Sequence, residues 1–110
     1  MQISPQGHTT QIIQEAEGLP DFLTELQQQF TSFGSQHLVL VLLPNQEIVA
    51  SALSLISNIS AAHRDVGKSF VVVTDTLTYE TAPDELSVVP SVQEALDVIE
   101  MEDIERDLGI

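Results

Sequence analysis

Two short stretches of the chain are apolar at almost every position. They are HLVLVLL at residues 37–43, bounded by Gly34 and Pro44, and SFVVV at 69–73. Runs of this length and continuity predict strands buried on both faces. Between them the pattern changes period. From Glu47 to Asp65 the apolar positions Val49, Leu53 and Ile56, with Ile48, Leu55, Ile59 and Ala62, cover more than a third of a helical wheel, wider than a surface helix needs. A tightly packed helix is predicted, with Gly67 ending it. A strand, helix, strand order with buried strands implies a parallel pair joined by a right-handed crossover. Upstream, LPDFLTELQQQFTSF places Phe22, Leu23, Leu26, Phe30 and Phe33 at helical spacing behind Pro20 and Asp21, which predicts a helix over about 20–33 stopped by Gly34. The opening segments MQIS and TTQIIQEA flank PQGH and read as a hairpin.

Beyond the second buried strand, residues 74–85 are rich in turn formers and carry no helical stripe, so an irregular connection is predicted. LSVV at 86–89 reads as a third core strand closed by Pro90. SVQE then supplies a capping box between Ser91 and Glu94 at the head of a final helix. Val92, Ala95, Leu96 and Ile99 lie on one side of that helix, whereas Met101, Ile104 and Leu108 project roughly opposite at about 100° per residue. Two alternatives remain open at this point. Either the helix breaks near Glu100 and folds back, or a straight tail over residues 100–110 protrudes and offers its apolar edge to a second chain.

Composition narrows the function classes. A length of 110 residues suits one domain, and 43% apolar residues suffice for a core despite a formal charge of -14. Seventeen acidic residues face only Arg64, Lys68 and Arg106, so a phosphate backbone is repelled and no nucleic-acid partner is expected. The absence of cysteine excludes disulfides, a thiolate nucleophile and thiolate metal sites. No leader-like or membrane-length apolar run is present in the sequence, which sets a cytoplasmic protein without a membrane partner as the expectation.

Taken in order, the predicted elements resemble the STAS domain, the family of sulfate transporter and anti-sigma factor antagonist domains. The likeness spans nearly the whole chain and is sharpest in LSVVPSVQEALDVIEMEDIERDLG, residues 86–109, which looks like the family's last strand, its Pro-Ser/Thr cap and its closing helix. The resemblance implies an α/β fold in which a mixed sheet carries helices packed chiefly on one face. The third helix is reduced, because residues 74–85 are too few to hold it. The family's signature is an Asp-Ser-Ser/Thr-Gly-Leu motif before the second helix. Counting back from VGKSFVVV, it falls on Val49, Ala50, Ser51, Ala52 and Leu53. In phospho-regulated members the first serine accepts phosphate from a kinase-type partner. Here that position is Ala50, which has no oxygen to phosphorylate, and the substitutions around it predict a buried, rigid first turn in place of a switch. The resemblance therefore implies a signalling or regulatory module that binds protein, with a kinase-type anti-sigma factor as the partner class. Its alternative is a STAS-type sensor of a small apolar ligand or lipid. A homodimer through Met101, Ile104 and Leu108 is a further possibility.

Catalytic chemistry finds little support in the residues. Ser51 and His63 are twelve residues apart on one predicted helix, about 18 Å along its axis, too far for a nucleophile and its base. Ser51 reads as a capping or packing hydroxyl before a surviving phosphoacceptor. His8, His37 and His63 read as surface histidines without a shared metal. Glu100, Glu102, Asp103, Glu105 and Asp107 lack the glycine-centred loop of a calcium site and read as a solvated face. Tyr79 is either an exposed contact residue or a loosely packed ring. No enzyme activity and no cofactor are expected.

Overall fold

The apolar runs become the middle of a five-stranded mixed sheet. The computed structural model describes residues 1–77 and 81–109. Its elements are β1 (Gln2–Gln6), β2 (Thr9–Ile13), α1 (Leu19–Gln29), β3 (His37–Val41), α2 (Ala50–Asp65), β4 (Phe70–Val73), β5 (Ser87–Val89) and α3 (Val92–Leu108). Strand order follows chain order from β1 to β5. The hairpin β1–β2 is antiparallel and every later pair is parallel, with Val39 opposite Val71 and Val72 opposite Val88. The predicted hairpin turns at Gly7, whose φ of 62° lies in the region that favours glycine.

Because side chains alternate along a strand, β3 and β4 send residues both ways. Leu38, Leu40, Phe70 and Val72 join Ile12 and the inner faces of α1 and α2, where Phe22, Leu26 and Ile56 are buried. Val39, Val71 and Val73 face the other way and are covered by Ala95 and Ile99 of α3. Two helices thus share one face and the third closes the opposite one. The continuously apolar strands require that second cover, since each fully buried Val, Leu or Phe contributes about 1.5–3 kcal/mol relative to exposure.

Three boundaries differ from the sequence pattern. The first helix ends at Gln29 and tightens into a 3-10 turn over Phe30–Phe33, which brings Phe33 into the core. The second begins at Ala50 rather than Glu47, because the preceding loop is held by distant partners. Of the two alternatives for the final helix, the structure shows the straight one: there is no break near Glu100, and α3 runs unbroken to Leu108 and ends at Gly109 with φ 75°. Ser91 caps it as predicted, its Oγ accepting from the Glu94 amide at 3.2 Å and donating to the Glu94 carboxylate at 3.2 Å. Between β4 and β5 the described residues form bends and turns without a helix, in keeping with the reduced third helix. Among the described residues no helix is long and apolar enough to cross a membrane.

Candidate functional site

The segment singled out by the motif comparison lies at the carboxyl edge of the parallel strands, the edge at which open α/β sheets place their ligands. Its position is set from outside the helix. Gln14, at the end of β2 and 3% exposed, accepts the Leu43 amide at 3.1 Å through Oε1. It donates to the Glu17 carbonyl at 3.0 Å and pairs with the Gln46 side chain. The Asn45 amide donates to the Asp75 carboxylate at 3.0 Å, and Asn45 itself holds φ 59°. These bonds lead the chain through a turn at residues 44–45 to an extended Val49 (φ −69°, ψ 159°), whose carbonyl accepts the first bond of α2 from the Leu53 amide at 3.0 Å.

A buried first turn was expected here, and the structure corrects it. Val49 is 51% exposed, Ala50 and Ser51 stand in solvent, and only Ala52 and Leu53 turn partly inward. Helical geometry explains the split, because residues 52, 53 and 56 share the core-facing side while 50, 51 and 54 point away. No side chain caps this helix start and no acidic residue occupies its first turn.

Two shallow grooves flank the exposed turn. On the α1 side, Pro20, Leu23 and Thr24 face Val49, Ser51 and Ala52 across about 260 Å³. On the other, Pro83 and Glu85 face Ala50, Leu53 and Ser57 across about 320 Å³. The fold thus brings the start of α2 against the connection after β4. Tyr79, in the same connection, lies outside the described residues. Among the described residues Glu85 is the only ionisable group lining either groove, and His63 sits at the far end of α2. A third groove of about 340 Å³ runs between α1 and α2 along Phe30, Leu55, Ile59 and Ala62.

The opposite edge of the sheet holds a polar cluster that the sequence pattern did not disclose. His37, at the start of β3, accepts the Ser69 amide through Nδ1 at 2.9 Å and donates through Nε2 to Asp103 at 2.9 Å. Arg64 Nη1 reaches both Glu102 oxygens at 3.3 Å, while Nη2 donates to the Phe70 carbonyl and the Ser87 hydroxyl, each at 3.1 Å. Ser69 Oγ donates to Glu102 and accepts from Arg106 at 2.9 Å, and Arg106 also bonds Asp103 at 3.1 Å. The carboxyl half of α3 is tied by these links to the amino ends of β3, β4 and β5.

Two expectations change accordingly. Glu102 and Asp103 are only partly solvated and turn toward the sheet, and His37 and His63 are not surface residues, being 4% and 1% exposed. His63 donates through Nε2 to the Gln36 carbonyl at 2.6 Å and lies edge-on to Phe30 and Phe70, with ring centroids at 5.4 and 6.3 Å. Burial lowers the pKa of both rings below 6.5, outweighing the opposing pull of Asp103 on His37 and of the Gln36 carbonyl on His63. One signal could have revealed the cluster. Extending the Ala95–Ile99 stripe by three, four and seven residues beyond Ile99 lands on Glu102, Asp103 and Arg106. The same geometry turns Met101, Ile104 and Leu108 outward at 62, 53 and 67% exposure.

Compared with protein-family models the chain matches none, and it matches no curated protein.

Proposed function

We propose that the chain is a non-enzymatic protein-interaction module of STAS type, acting in cytoplasmic signalling, whose recognition surface is the start of α2 with the connection after β4. The observation that carries this reading is the exposure of Val49, Ala50 and Ser51 beside Pro83 and Glu85. The order of elements and the uninterrupted strand order agree with it. The partner class is a kinase-type anti-sigma factor. Since Ala50 stands where phosphate would be added, the association is constitutive, and its loss of switching comes from a missing oxygen rather than from burial. The test is incubation with kinase-type anti-sigma factors of the same organism, with and without ATP. A complex that survives ATP, with no phosphate on the chain, is the expected result. Phosphate on Ser51, which is exposed in the first turn of α2 where added negative charge is favoured, would refute the reading.

The groove between α1 and α2 favours a second reading, a sensor of a small apolar ligand. Its volume of about 340 Å³ lies at the low end of ligand sites, and Phe30, Leu55 and Ile59 give it an apolar wall. Native mass spectrometry separates the two, because a retained small molecule belongs only to the sensor.

A further inference from the structure

The outer face of α3 pairs an apolar stripe with an acidic rim. Met101, Ile104 and Leu108 follow one another at i, i+3 and i+7, the spacing by which one helix face meets another. Glu100 and Asp107 border the stripe on one side and Glu105 on the other, all exposed. The stripe cannot turn inward. Asp103, Glu102 and Arg106 hold the opposite side of the same turns to His37, Arg64 and Ser69, so the rotation of the helix about its axis is fixed by bonds at several points. An exposed apolar face that is locked outward is pre-organised for contact.

We infer that this face binds a cationic amphipathic helix of another protein, its apolar residues seated on Met101, Ile104 and Leu108 and its Lys or Arg side chains on the acidic rim. Charge selects this occupant over the others. A second copy of the chain would set acid against acid along both sides of a shared stripe. Anionic lipid headgroups and nucleic acids would be repelled by a chain of formal charge -14. Of its three cationic side chains, Arg64 and Arg106 already bond inward to the sheet and to α3 itself, and among the described residues no ion pair engages Glu100, Glu105 or Asp107. The face lies across the sheet from the grooves beside α2 and stands independently of the function proposed for them.

The test uses the full chain and a synthetic peptide of about 18 residues, with Leu at every third or fourth position and Lys elsewhere. Two comparison peptides carry Glu in place of Lys, or the same residues in scrambled order. Calorimetry should show binding of the cationic amphipathic peptide alone, weakening as salt rises from about 50 to about 300 mM. Combined Met101→Ser and Leu108→Ser substitution should weaken that binding at least about tenfold at unchanged charge. Combined Glu100→Lys and Glu105→Lys substitution should shift preference toward the acidic peptide. Helical content by circular dichroism should match the parent in both variants, since the altered side chains are exposed. The inference is overturned by equal binding of the Ser variant, by equal binding of the acidic or scrambled peptide, by no binding, or by a stripe-dependent dimer of the free chain in light scattering.

Discussion

Acidifying the protein to about pH 5.5 should loosen it through His37 and His63, and the size of the effect follows from their surroundings. His37 uses Nδ1 as an acceptor for the Ser69 amide, so a proton added there would set two donors against each other. The charges facing it are Asp103 and Arg106 from α3 and Lys68 from the α2–β4 link. His63 meets His37, Lys68 and Arg64 among two aromatic rings, with the Gln36 carbonyl as its acceptor. Both folded-state pKa values lie below the ordinary 6.5. The unfolded chain therefore binds more protons as pH falls through 6.5, and the stability these groups contribute is present above that value and lost below it. At about pH 5.5 a ring that stays neutral in the fold costs at most about 1.4 kcal/mol, so the pair costs at most about 2.8 kcal/mol. Urea unfolding across about pH 5.5 to 7.5 measures this directly, and His63→Gln, whose amide can still donate to Gln36, should reduce the slope by one ring's share. The assignment fails if stability stays level or rises as pH drops through this window, or if removing both rings by His63→Gln and His37→Asn leaves the slope unchanged.

Other outcomes follow from the same contacts. Arg64→Met should lower stability by about 1.5–3 kcal/mol in urea unfolding, since it removes charged bonds to Glu102, the Phe70 carbonyl and Ser87. Arg64→Lys should recover little of that loss, because a single ammonium cannot span the three acceptors. Ile99→Ala, at a position 4% exposed, should cost about 2–5 kcal/mol, whereas Ile104→Ala, 53% exposed, should fall within about 0.5 kcal/mol of the parent. Thermal melts of the two side by side would reveal any misassignment of the inner face of α3.

The strands and the order of the helices were legible because burial leaves a local trace. HLVLVLL and SFVVV are apolar throughout, and nothing but a two-sided cover tolerates that. The start of α2 was not legible. Ile48 and Val49 continue the helical stripe, yet the chain there is directed by Gln14 and Asp75, each about thirty residues away, and a window of local sequence contains neither. The same limit hid the histidines. An isolated His such as His63 resembles a surface residue until Phe30, Phe70 and a backbone carbonyl converge on it. At the motif, the identity of Ala50 was plain from the sequence, but its exposure depended on where the helix begins.

The attachment of α3 is of two kinds along its length: oily contact at Ala95 and Ile99, then ionic and hydrogen-bonded contact at Glu102, Asp103 and Arg106. Added salt weakens chiefly the second kind, while cooling weakens the first. The last turns of this helix are consequently able to fray in brine while its first turns stay zipped to the sheet, giving one continuous rod two separate breaking strengths.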